Sequence, residues 1–230
     1  MNKNYVVTIV LALMLLSVFS ANNPAQTRTE SFAKKIANTY GLQSFSKVKS
    51  VSFTFNVKTK SRSLSRSWYW EPSSNKVTYK GPGKEGKIIT YSYITGSIDK
   101  SDSMKSFVDA KFINDQYWLL FPFHLVWDKK AELTDAGMRP YPVSKKQAHC
   151  LIIKYPPSAG GYTPGDIFEL YIGKDNLIHE WVYRQGGKKD GMALTWEGYK
   201  NFNGLKISTV HNVADKSFKL WFSDVKVVLE

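Results

Sequence analysis

Apolar and polar residues alternate with a period of two along much of this chain. Val51, Phe53, Phe55 and Val57 are separated by Ser52, Thr54, Asn56 and Lys58, the pattern of a strand with one buried face. Leu64, Arg66, Trp68 and Trp70 alternate in the same way with Ser65, Ser67 and Tyr69. A turn at 72–75 leads into a strand at 76–80, and a glycine-rich turn at 81–86 leads into another at 87–94. From residue 147 onward the pattern predicts strands at 147–155, 166–172, 177–184, 192–200, 205–213 and 217–229. Turn residues separate them, among them Asn203-Gly204, a strong hairpin signal because both central positions of a type I′ turn need positive φ.

Helical spacing occurs in two places. Phe32, Ala33, Ile36, Ala37 and Tyr40 predict a helix over 29–40, with Gly41 as its stop. Phe107, Ala110 and Lys111 predict a second over 103–114, capped by Ser101 or Asp102 and running into the apolar stretch 117–121, where Pro122 should end it. Residues 129–146, with Gly137, Pro140 and Pro142, read as a long connecting loop.

The expected fold is therefore mainly β (α+β): an antiparallel sheet of about ten or eleven strands with two helices. A sheet of about that width curls rather than staying open. Two helices are too few to sheathe a sandwich but can close one side of a half-barrel. The hollow that remains is apolar, and such hollows are where ligands bind.

Residues 5–19 form an apolar run behind Lys3. Spanning a bilayer takes about 20 apolar residues, so the run suits a secretory leader better than an anchor. Small residues at Val18 and Ser20 place cleavage between Ser20 and Ala21. The expectation is a signal peptide over 1–20 and a single half-barrel domain over 21–230, with a periplasmic destination. An uncleaved anchor is the alternative.

Composition narrows the function. The 230 residues include 32 basic and 19 acidic ones, a formal charge of +13, with 14% aromatics. In an exported protein such a charge calls for an anionic membrane surface or an acidic envelope protein rather than nucleic acid. Many lysines fall in expected turns, so much of the charge is a solvated rim. A single cysteine, Cys150, excludes an internal disulfide framework. It falls in an expected strand, as a buried small apolar residue rather than a nucleophile.

Catalytic signatures are missing: there is no G-x-S-x-G, H-E-x-x-H, P-loop or G-x-G-x-x-G. Glu169, Glu180 and Glu197 could bring carboxylates together across strands for glycosidase-like chemistry, but cross-strand pairing with Lys or Arg is the commoner role. His179 shares a strand face with Trp181 and Tyr183 and reads as a satisfied core histidine. No enzyme activity, metal or cofactor is expected.

Arg66 is a base on an otherwise apolar strand face. Unpaired, it would be costly, so it pairs with an acid such as Asp166 or Glu169, ties down a lid, or meets a ligand. Trp118, Trp127, Trp181 and Trp196 each suit a core. Seven tryptophans nevertheless make an interior wider than a curled sheet fills with its own atoms. The candidate ligand-binding set is Phe53, Phe55, Arg66, Trp68, Trp70, Trp118, Phe121, Trp181 and Trp196.

With these elements in order, the chain resembles the outer-membrane lipoprotein carrier (lipoprotein localisation factor) superfamily, especially its periplasmic branch. The segments carrying the likeness are NDQYWLLFPFHLVWD at 114–128, GGYTPGDIFELY at 160–171, MALTWEGYKNFNG at 192–204 and LWFSDVKV at 220–227. The resemblance implies an antiparallel half-barrel closed by helices, with a cavity for lipid chains. It also implies an early-strand arginine that hydrogen-bonds the helical lid; Arg66 matches that position best, with Arg62 as competitor. A monomeric carrier of a lipid or acylated ligand is the function it implies. An envelope protein-interaction module with a basic rim, or an enzyme using cavity carboxylates, stands as the alternative.

Overall fold

The structure, a computed structural model, describes residues 24–81, 86–93, 103–158 and 164–230. The expected leader and its cleavage site, the cap at Ser101 or Asp102, and parts of the 81–86 turn lie outside the described residues. So do the end of the 87–94 strand and the start of the 160–171 segment.

Two strand runs build the body. A six-stranded antiparallel sheet has the order β12-β13-β1-β2-β3-β4, from β1 (Val48–Thr59), β2 (Ser63–Glu71), β3 (Lys76–Lys80), β4 (Ile88–Ser92), β12 (Val210–Asn212) and β13 (Phe218–Leu229). A five-stranded sheet follows chain order through β5 (Glu132–Pro140), β6 (Gln147–Lys154), β7 (Ile167–Ile172), β8 (Ile178–Arg184) and β9 (Met192–Thr195). A hairpin of β10 (Lys200–Phe202) and β11 (Leu205–Ile207) stands apart. The two large sheets meet at a seam, where Glu197 bridges Val210 and Thr195 hydrogen-bonds Asn212. The result is a mainly β, curled half-barrel that does not close.

The strands expected at 192–200 and 205–213 are each split. Gly198, at φ +65°, turns the first. In the second, Ser208 and Thr209 turn their hydroxyls to the carbonyls of Glu197 and Gly198.

Three helices lie on the concave side. The first, α1 (Pro24–Thr39), begins five residues before the periodic pattern, because its opening turn is polar and shows no apolar stripe. Ala33, Ile36 and Ala37 are its buried face. Gly41 follows at φ +95°, and a Cβ there would collide with the Gly204 carbonyl oxygen. Only glycine fits this corner between α1 and the β10–β11 hairpin. The single turn α2 (Leu42–Phe45) then sets Phe45 among Trp70, Phe123 and Trp127.

The long helix α3 (Ser103–Trp127) departs from expectation, since Pro122 does not end it. The chain leaves helical geometry at Leu120 (φ −122°, ψ 20°) and then resumes. That break relieves the clash between the proline ring and the carbonyl four residues back.

Two other expectations also give way. Residues 132–140 are a strand rather than loop. Its mostly exposed edge position hides any alternation, and a register shift around Gly137 (φ +68°) accommodates the glycine. His179 is exposed, not core, and pairs with Asp175 at 3.0 Å. A register shift opposite Tyr171 and Ile172 puts His179 out of phase, so that Ile178 and Trp181 both point inward.

Candidate ligand-binding site

The inner face of the β1–β2 hairpin sets three facing pairs in register: Phe53 with Trp68, Phe55 with Arg66, and Val57 with Leu64. α3 crosses the concave side above them. Phe112 packs edge-on to Trp68 and Trp70, Trp118 packs against Trp181, and Phe121 against Phe168 and Trp181. One helix thus touches β2, β7 and β8 at once.

The base on the apolar face finds its acid on α3. Arg66 donates from Nε and Nη2 to the two carboxylate oxygens of Asp115, at 2.7 and 2.5 Å. Trp68 Nε1 donates to Asp115 at 2.9 Å, and Asn114 donates to it at 2.9 Å. The Arg66 guanidinium also lies 4.8 Å from the centre of the Phe55 ring. Burial pushes the Asp115 carboxyl above its ordinary value, and the Arg66, Asn114 and Trp68 donors oppose that rise.

Neither sheet acid expected to pair with Arg66 does so. Asp166 accepts from Gly186 N–H at 2.7 Å and Tyr183 hydroxyl at 3.1 Å. Glu169 pairs with Arg184 at 2.7 Å. The reason is phase: Glu169 alternates with the inward Phe168 and Leu170 and points to the convex side.

A hollow of about 540 Å³ remains between α3 and the sheets. Phe55, Val57 and Leu64 line it from β1 and β2; Ile113, Tyr117 and Trp118 from α3; Phe168, Trp181 and Tyr183 from β7 and β8. A second hollow of about 260 Å³ adjoins it, and the two share Arg62, Leu64, Arg66 and Lys111. Of the candidate set, Phe55, Arg66, Trp118 and Trp181 border the larger hollow. Phe53, Trp68, Trp70, Phe121 and Trp196 lie behind it in the packed core. Sequence reasoning missed Ile113, Tyr117, Phe168, Tyr183 and Lys111. Tyr117 lies beyond the expected end of the second helix at 114, whereas Lys111 and Ile113 lie within it and carry no sign of which helix face meets the hollow.

A polar cluster around Asp128 fixes the end of α3 and ties it back across the break. His124 Nδ1 lies 3.0 Å from Asp128, and the Tyr117 and Tyr155 hydroxyls each donate to Asp128 at 2.7 Å. Burial acts to raise the Asp128 carboxyl, but the donors from His124, Tyr155 and Tyr117 outweigh it and hold it low. Burial raises the Tyr155 and Tyr117 hydroxyls well above the phenol range, so they remain donors.

The three glutamates of the enzyme alternative do not converge on the hollow. Glu180 accepts the Val143 and Ser144 N–H groups at 2.6 and 3.0 Å, Glu169 is held by Arg184, and Glu197 is exposed at the seam. Cys150 is fully buried in a small cluster with Tyr141, Ala148, Tyr171 and Val182, and burial pushes its thiol up to about 11. Among the described residues no group of three or more His, Cys, Asp or Glu is placed to hold a metal ion, and no helix is long and apolar enough to cross a membrane.

No protein-family model matches the sequence, and no curated protein matches it significantly. Solved structures do match. A LolA superfamily protein from Nitrosomonas europaea aligns over 85% of this chain and 93% of its own at 11% identity, with a TM-score of 0.51. The chain has the lipoprotein-carrier-like fold. A DUF1329 family protein from Desulfovibrio piger aligns over 89% of this chain and 94% of its own, at 10% identity and a TM-score of 0.49. In this carrier-like fold the curled sheet supplies the wall and α3 the cover, and the Arg66–Asp115 pair joins the two.

Proposed function

We propose that this protein is a non-catalytic envelope protein that holds a lipid-like or acylated ligand in the hollow beneath α3. On this reading residues 1–20 are a leader and residues 21–230 act as a single carrier domain in the periplasm. The observation that carries the reading is the 540 Å³ hollow lined by Phe55, Ile113, Trp118, Phe168 and Trp181. Its volume lies within the range of about 300–1,000 Å³ found for small-molecule sites. Binding draws on apolar area removed from water, at about 25 cal/mol per Å². The carrier-like fold of the Nitrosomonas protein supports the same reading.

The test is mass spectrometry of an organic extract of the natively purified protein, combined with titration of a fluorescent fatty acid and an acylated peptide. A co-purifying lipid or saturable uptake is expected. An empty extract with no uptake of either probe would sink the proposal.

A further inference from the structure

The two hollows share one boundary, and it is cationic. Arg62 reaches it from the β1–β2 turn and Lys111 from α3, each lining both hollows. Arg66 lines both as well, but its charge is already met by Asp115. Neither Arg62 nor Lys111 forms an ion pair among the described residues; the Lys111 ammonium rests 4.7 Å from the centre of the Phe107 ring. Among the described residues the only acid bordering either hollow is Asp166. It borders the larger one alone, and both its oxygens are occupied by Gly186 and Tyr183. Away from this boundary the lining is mostly aromatic and aliphatic, interrupted by Asn114, Asp166 and Gln185, with Trp118 and Trp181 in edge-to-face contact.

Resting on the carrier reading, we infer that the ligand is an anionic single-chain amphiphile. Its acyl chain lies along Ile113, Trp118 and Trp181, and its head sits between Arg62 and Lys111. The polarity runs one way. The head is drawn to the two free cations and away from Asp166, and the chain fills the apolar part of the larger hollow. A volume of about 540 Å³ suits one chain rather than a bundle of several. A carboxylate and a phosphate monoester share the chemistry, since both accept charge-assisted hydrogen bonds from guanidinium and ammonium groups.

The experiment titrates the purified protein with palmitate and lysophosphatidic acid, and with the neutral partners hexadecanol and monopalmitoylglycerol, following tryptophan fluorescence. Anionic probes are expected to bind about tenfold more tightly than neutral ones of equal chain length. Arg62→Glu and Lys111→Glu should each erase that preference, and Arg62→Lys with Lys111→Arg should keep it. Both side chains are outside the core, and circular dichroism checks that the variants fold. Tighter binding of palmitate assigns a fatty-acid ligand, and tighter binding of lysophosphatidic acid a phospholipid one. Equal binding of charged and neutral probes, or reversals without effect, would overturn the inference and leave the carrier reading standing. Binding of none of the four would remove both.

Discussion

Asp115 has no exposure to solvent and accepts two hydrogen bonds from Arg66, whose own side chain is 10% exposed. The pair joins α3 to β2 across the interior. Breaking a buried pair from one side leaves an uncompensated charge and costs about 3–5 kcal/mol. Asp115→Ala should therefore lower the urea midpoint steeply, and it also strands the Trp68 indole N–H. Arg66→Met combined with Asp115→Leu should recover most of that loss, because an apolar pair of similar volume removes the desolvation cost along with the attraction. Equal destabilisation by the single and the double variant would refute this account.

His211 is fully buried, and its Nδ1 lies 3.2 Å from the Thr195 carbonyl. Burial lowers its pKa to about 3. The unfolded chain binds a proton near pH 6.5, while the folded chain does not until about pH 3. Stability is thus unaffected by this group above about pH 6.5 and falls as pH drops through that window. The loss reaches about 2 kcal/mol by pH 5. His211→Gln should flatten the stability profile between pH 7.5 and 5 by that amount, as read from urea denaturation at each pH. An unchanged slope would show that His211 is protonated in the fold.

Leu64 is half-buried and lines both hollows. Leu64→Trp places a larger ring in the space assigned to the ligand and should weaken fatty-acid uptake about tenfold. Thermal stability should hold or rise. Uptake that persists at full affinity would locate the ligand elsewhere.

Glu180 belongs to the convex side, where it gathers the Val143 and Ser144 N–H groups. Glu180→Ala removes the acceptor for both and should cost about 1–3 kcal/mol. Amide exchange should accelerate at residues 141–146, with ligand uptake unchanged. Loss of uptake without loss of stability would bring this carboxylate back into the site.

How far these relationships could be read from sequence depended on whether the governing contact was local. The alternation of Val51, Phe53 and Phe55 is a property of one strand, and all three are buried as expected. The convex neighbours Thr54 and Asn56 are buried as well, because Ser67, Ser65 and Ser223 cross-bond to them. That polar closure leaves no hydrophobic trace.

The partner of Arg66 is non-local, 49 positions away on another element. A signal for it did exist. Asp115 stands on an otherwise apolar helix face, three residues after Phe112 and four before Leu119, so each of two charges sat misplaced on a greasy surface. Pairing the two misfits identifies the contact, although Asp166 and Glu169 in the sheet offer competing partners. The β5 strand was illegible for the opposite reason: an exposed edge holds by backbone bonds, which any side chain permits.

The interruption at Leu120 divides α3 into two arms with different holds on the sheets. The arm before it is joined to β2 through Asp115, and the arm after it is moored by Asp128 to Tyr155. Since Pro122 has no N–H to contribute, the backbone already lacks a rung at this level, and flexing there sacrifices little hydrogen bonding. The two arms are nonetheless laced together across the break, since Tyr117 donates to Asp128 and Gln116 bonds His124. A backbone left loose at this level is thus braced by its own side chains.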